Sequence, residues 1–142
     1  MILSSRNYCS VTNEALIKKV KIVMSFITNI TVFLIAVLHL YFLVLQIFFW
    51  TKPIGMRTFR RSEQQARDSA SLAANQGLYN GFLSAGLIWG LLQPDLTFAN
   101  QIKIFFLVCI AAAGIFGGIT ANKKIFFVQA LPAVIALSFL FL

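Results

Sequence analysis

The sequence predicts an all-α polytopic membrane protein, folded as a four-helix transmembrane bundle. Of its 142 residues, 59% are hydrophobic, and the mean hydropathy is +0.84. Four apolar stretches each approach the roughly 20 residues that a helix needs to cross a hydrocarbon core of about 30 Å. These spans are residues 24–50, 73–92, 102–121 and 125–142. Strand-like alternation is absent from them, and backbone groups in lipid must be satisfied within the segment, so helices are expected rather than barrel strands.

The first span opens the predicted transmembrane domain, residues 24–142, and residues 1–23 precede it as an N-terminal extension. This extension has two interpretations: it results from a start upstream of a natural start at Met24, or it is a poorly ordered tail. The span is too long for a signal-peptide core and lacks a cleavage site of small residues. At ~1.5 Å per residue it is about 40 Å long, so it tilts or projects from the bilayer.

The later spans carry recognisable helix boundaries. Ser62 and Gln65 fit a capping box, which predicts a helix that begins near Glu63 and continues unbroken through the second span to Leu92. The fourth span contains Pro132, which cannot donate a backbone hydrogen bond to the carbonyl four residues earlier. We therefore expect a kink in this helix.

Small residues recur every four positions in the second and third spans. In the second span Gly77 and Gly81 form one such pair and Gly86 and Gly90 another, and in the third span Gly114 and Gly118 form a pair. This spacing lets two membrane helices approach closely, so we expect the second and third spans to pack against each other. It favours a packing role for these glycines over ligand binding.

The net charge of +8 is explained by membrane orientation rather than by nucleic acid. Basic residues cluster in loop 51–72 and in loop 122–124, which places both loops in the cytosol and both termini outside. Arg6, Lys18, Lys19 and Lys21 oppose this arrangement unless translation starts at Met24, and an inverted topology is the alternative. The expected partners are membrane lipids, and no nucleic acid is expected.

The acidic and sulfur-containing residues exclude several kinds of chemistry. All four acidic residues lie outside the spans, which argues against a pump or antiporter with a buried carboxylate and against two-carboxylate mechanisms. The two cysteines, Cys9 and Cys109, support neither a disulfide framework nor a zinc cluster. No metal, cofactor or catalytic residue is predicted.

Polar side chains from three spans reach one depth in the cytosolic half of the membrane. In the first span Gln46 belongs to this layer, and His39, seven residues earlier, shares its helical face about 10 Å further from the cytosol. The second span contributes the amide-rich segment Asn75–Gly81, and the fourth contributes Gln129. The candidate ligand-binding residues are His39, Gln46, Asn75, Gln76, Tyr79, Asn80 and Gln129.

This polar layer has two interpretations. It is either a hydrogen-bonded plug that fixes helix register, at roughly 1 kcal/mol per bond, or a cytosol-facing site that binds or transports a small polar or lipid-like molecule. A membrane-embedded enzyme acting on a lipid or isoprenoid, with His39 as acid or base, is an alternative that the missing intramembrane carboxylate disfavours. A further alternative is a non-catalytic scaffold or interaction protein, which would form a homodimer through the glycine faces.

Several short motifs together resemble one family of small bacterial membrane proteins, domain of unknown function 1304. They are His39-Leu40-Tyr41, Asn75–Gly81, Lys123-Lys124 and Gln129–Ala133, and the resemblance covers roughly residues 24–142. It implies a four-helix protein of the bacterial inner (plasma) membrane with Met24 as its start and with no established activity. It also implies that many members carry glutamate at position 46, so Gln46 removes the basis for a proton-coupled function here.

Overall fold

The computed structural model describes the backbone of residues 3–141 and the side chains of Glu14 and of residues 16–141. Over this range the chain is helical and contains no strand, which confirms the all-helical prediction. The elements are α1 (Leu3–Phe48), α2 (Pro53–Phe59), α3 (Glu63–Asp68), α4 (Ala70–Leu92), α5 (Leu96–Thr120), α6 (Lys123–Ile125), a π-helical turn (Phe126–Ala130) and α7 (Leu131–Leu140). The last three follow one another directly and are called the C-terminal helix.

Three helices in the described part of the chain are long and apolar enough to cross a membrane. They are Leu16–Phe48, Leu96–Thr120 and Lys123–Leu140. These correspond to three of the four predicted spans. The remaining one, α4, has 23 residues and is long enough to cross, but the amides of Asn75, Gln76 and Asn80 lower its hydropathy. The membrane character of the protein is therefore supported by three helices.

Helix α1 runs without a break from Leu3 to Phe48. Its backbone thus continues through residues 3–23, which the sequence predicts to be an extension; residues 1 and 2 lie outside the described range. Leu16, Ile17 and Val20 on this part of α1 are each more than half exposed. The domain boundary at residue 24 stays a prediction.

The predicted capping box forms, but the helix that it starts is short. The Ser62 hydroxyl accepts a hydrogen bond from the Gln65 N–H at 3.3 Å, and the Gln65 side chain accepts one from the Ser62 N–H at 3.1 Å. α3 then ends at Asp68, because Ser69 leaves the helical conformation, with φ −105° and ψ 9°. The prediction of one unbroken helix from Glu63 to Leu92 is therefore wrong, and α4 begins separately at Ala70.

The long helices pack in the order α1, α4, α5 and C-terminal helix, and the last of these returns to contact α1. Their shared core is formed by fully buried aliphatic and small residues. They are Val32, Ile35, Ala36, Leu87, Leu107, Ile110, Ala111, Ala133 and Ala136. The most extensive contact is between α1 and α4, the two helices that carry His39, Gln46 and Asn80. This contact positions the polar layer.

The second and third spans pack against each other as expected, but not through Gly77 and Gly81. A Cβ atom on Gly77 would lie 2.9 Å from the Ile47 side chain, and one on Gly81 would meet Leu43, so both glycines pack against α1. α4 contacts α5 through other glycines, Gly86 and Gly90. The prediction that Gly77 and Gly81 face the third span is therefore wrong, because the 73–77–80–84 stripe of α4 turns toward α1.

The glycine pair of the third span packs against the C-terminal helix. A Cβ atom on Gly114 would lie 2.5 Å from the backbone nitrogen of Ala130, and one on Gly118 would lie 2.8 Å from the Cβ atom of Phe126. All of these paired glycines are thus covered within the chain. A homodimer stays a prediction, but it would need another surface.

Candidate functional site

The most buried polar pair joins α1 to α4. The Asn80 side-chain amide donates a hydrogen bond to Gln46 Oε1 at 2.7 Å. Both side chains are buried, and both lie on regular helical turns. Ser84, one turn further along α4, donates to the carbonyl of Ala36 on α1 at 2.9 Å. The polar contacts of α4 therefore continue along one side of α1.

His39 is completely buried and uses both ring nitrogens. Nδ1 lies 2.8 Å from the carbonyl oxygen of Ile35, one turn earlier in α1, and Nε2 lies 3.4 Å from Nε2 of Gln129. A carbonyl can only accept, so Nδ1 carries the proton, and the unprotonated Nε2 accepts from the Gln129 amide. This arrangement holds a neutral imidazole without any charged partner.

Gln129 reaches His39 from a π-helical turn. The turn spans Phe126–Ala130, and the N–H of Leu131 bonds to the carbonyl of Phe126, five residues earlier. Pro132 follows at once and cannot supply the backbone bond that a regular helix would place here. The irregularity expected at Pro132 is thus a widened turn just before it, and π turns of this kind are frequent at functional sites.

Three of the predicted site residues lie outside the layer. Asn75, Gln76 and Tyr79 are exposed on α4, and the Tyr79 ring lies edge-on to Phe82 with centroids 6.3 Å apart. The reason is the helical stripe that α4 buries against α1, which passes through Gly77 and Asn80. Gln76 lies one position to the side of that stripe. The structure therefore brings together only His39, Gln46, Asn80 and Gln129, in two separate pairs.

The four paired residues leave no buried polar atom without a partner. Among the described residues, no buried side-chain nitrogen or oxygen atom lacks a hydrogen-bond partner. His39 is 0% exposed and Asn80 is 3% exposed. Within the same range, no three histidine, cysteine or acidic side chains cluster in a way that could hold a metal ion. The arrangement can hold helices in register, and it presents no free acid or base.

Two further polar residues were not recognised from the sequence as a pair. Lys103 on α5 is only 5% exposed, and its ammonium donates to Asn29 Oδ1 on α1 at 3.2 Å. In the sequence Lys103 is the only basic residue within the third span, which is itself unusual for a membrane helix. This isolated basic residue among apolar ones was the signal in the sequence that Lys103 has a specific partner in the fold.

Comparison with known proteins identifies the family. The sequence profile described as "Protein of unknown function (DUF1304)" matches residues 33–141, a range that contains the whole polar layer. The chain is also similar to "Uncharacterized protein YpaA" of Lactococcus lactis subsp. lactis (strain IL1403), with 29% identity over 116 residues, which cover 80% of this chain and 96% of that protein. No solved structure gives a significant match. The resemblance seen in the short motifs is confirmed: this chain belongs to the DUF1304 family of proteins of unknown function.

Proposed function

We propose that the protein spans the bacterial plasma membrane four times, with loops 51–72 and 122–124 in the cytosol and both termini outside. The support for a fourth span is the position of α4, which packs between α1 and α5, two helices long and apolar enough to cross. Its 23 residues extend about 35 Å at ~1.5 Å each, enough for the hydrocarbon core. Exposed side chains such as Phe33, Phe82 and Phe116 would contact lipid.

Thiol labelling of intact cells tests this topology. Cys9 and Cys109 are first replaced by serine, and a single cysteine is then introduced as Thr97→Cys or Gln64→Cys, both at exposed positions. A membrane-impermeant reagent should label Thr97→Cys in intact cells and Gln64→Cys only after permeabilisation. The reverse pattern would establish the inverted topology, and labelling of both from one side would exclude α4 as a span.

Within that topology, we propose that the polar layer is a non-catalytic lock that holds α1, α4 and the C-terminal helix in register. The observation that carries this proposal is the internal pairing: Gln46 bonds to Asn80, and both nitrogens of His39 have partners in the chain. A membrane enzyme would need a proton-transfer group that reaches its substrate. The completely buried His39 offers no such group in this conformation.

One half of the lock is weaker, and it is the half where a ligand would enter. The His39–Gln129 contact is 3.4 Å long, against 2.7 Å for Gln46–Asn80, and Gln129 lies in the π turn. A small polar or lipid-like molecule could replace the Gln129 amide at His39 if the C-terminal helix moved. Ligand binding at the layer is therefore the second candidate function, and it requires this movement.

A comparison of two variants tests the unequal strength of the two pairs. Gln129→Leu should lower the stability of the folded protein by about 1 kcal/mol, the low end of the cost of an unpaired buried acceptor, because the contact that it removes at His39 Nε2 is 3.4 Å long. Asn80→Leu should cost more, because it removes a contact of 2.7 Å and leaves the buried Gln46 amide oxygen unpaired. Thermal unfolding in detergent measures both. A larger loss for Gln129→Leu would contradict the assignment of the weaker half.

A further inference from the structure

A cleft at the other end of the molecule, away from loop 51–72, has the features of a ligand-binding site. It has a volume of about 340 Å³ and lies between α1, α5 and the last turn of α7. Its polar lining includes Lys21, Ser25, Asn29, Asn100 and Lys103, and Phe139 and Phe141 stand beside them. The cleft therefore combines two ammonium groups with neutral hydrogen-bonding groups and an apolar wall.

Lys103 is held in this cleft by two other helices. Gly90 on α4 makes room for its aliphatic stem, because a Cβ atom there would lie 2.8 Å from Lys103 Cγ. Asn29 on α1 accepts a hydrogen bond from its ammonium at 3.2 Å. The Lys103 side chain is thus held at both its aliphatic stem and its ammonium group. It belongs to α5, which is long and apolar enough to cross a membrane.

The charge of Lys103 lacks a carboxylate partner in the described part of the chain, where the ion pair found is Glu63–Arg67. An ammonium has three donors, and Asn29 takes one of them. A buried ammonium inside a membrane segment is costly unless an anion or several hydrogen bonds compensate it. An anion that reached the cleft would supply that compensation.

We propose that this cleft binds a phosphate group, with Lys103 as its main contact and Lys21 as the second cation at the rim. Phosphate suits the site because its oxygens accept several charge-assisted hydrogen bonds at once, and the ammonium groups and amides here are donors. Phe139 and Phe141 would lie beside an apolar chain attached to that phosphate. The site is separate from the polar layer around His39, which lies further along α1 and shares no lining residue with the cleft.

Binding to the purified full-length protein in detergent tests this proposal. The probes are phosphatidylglycerol, phosphatidylcholine and inorganic phosphate, each added to the unmodified protein and to the variants. Phosphatidylglycerol should bind more tightly than phosphatidylcholine and raise the unfolding temperature. Competition by inorganic phosphate would identify a free phosphate as a sufficient ligand, whereas binding of phosphatidylglycerol without such competition would identify the lipid.

The variants distinguish binding at this cleft from non-specific attraction of anionic probes to basic residues elsewhere on the protein. Lys103→Met keeps the stem and removes the charge, so the affinity for the bound probe should fall on the order of tenfold or more. Lys21→Met, at an exposed position, should weaken binding several-fold without affecting folding. Lys123→Met, an exposed lysine at the opposite end, is the matched control and should bind as the unmodified protein does. Unchanged binding by Lys103→Met, or no binding of any probe to the unmodified protein, would overturn the proposal.

Discussion

Replacing Gly114 by alanine should lower the stability of the folded protein by about 1–3 kcal/mol, the usual cost of overpacking a filled contact. Alanine has the higher helix propensity, by up to about 1 kcal/mol, so the steric effect must outweigh a local gain. A Cβ atom at this position would lie 2.5 Å from the nitrogen and 2.9 Å from the Cα atom of Ala130. These are backbone atoms that cannot rotate away, so α5 and the C-terminal helix would separate.

The matched control for this variant lies one turn away on the same helix. A Cβ atom on Gly117 would meet only the side chain of Ile125, with its closest atom at 3.0 Å. Gly117→Ala should therefore stay within about 0.5 kcal/mol of the unmodified protein. Thermal unfolding in detergent measures both variants. Equal unfolding temperatures for the two variants would show that the backbone contact at Ala130 does not hold the helices together.

Replacing Asn80 by leucine is the second substitution with a large expected effect. It should cost about 1–3 kcal/mol, because the buried Gln46 amide oxygen would lose its hydrogen-bond partner. The hydrogen bond alone would account for less, since such bonds in membrane proteins contribute about 0.6–2 kcal/mol. The penalty therefore comes mainly from the amide that is left unpaired.

Asn75→Leu provides the matched control, because Asn75 belongs to the same amide-rich segment and is exposed on α4. Its replacement leaves no buried polar group unpaired, so the change in stability should be within about 0.5 kcal/mol. Both variants are measured by the same unfolding assay. A loss at Asn75 as large as the loss at Asn80 would mean that the burial of these two amides does not determine their effect.

The sequence was sufficient to predict helices and to identify four polar residues that pair, but not the rotation of each helix. Counting residues from the predicted membrane ends placed Gln46, Asn80 and Gln129 in one layer, with His39 two turns away on the face of Gln46, and these four do form two pairs. Depth does not distinguish Gln76 from Asn80, which are separated by one turn. Their different exposure is decided by the packing of α4 on α1, which is a tertiary effect.

Glycine spacing has the same limitation. The four-residue interval correctly indicates that a neighbour approaches closely, but it does not identify that neighbour. Gly77 and Gly81 contact α1, whereas Gly86 and Gly90 contact α5. The environment of Lys103 could not be predicted from the sequence either, because it depends on Gly90 and Asn29, which lie on two other helices. Contacts of this kind are set by the assembled fold and not by the local sequence.

The claim that the polar layer locks helix register is tested most directly by a double-mutant cycle on its shortest hydrogen bond. The stabilities of Gln46→Leu, Asn80→Leu and the double variant are compared with that of the unmodified protein. If the two side chains stabilise the fold through each other, the double variant should be more stable than the sum of the single losses predicts, with a coupling of about 1 kcal/mol or more. Losses that add within about 0.3–0.5 kcal/mol would show that the pair is not coupled and would contradict the lock.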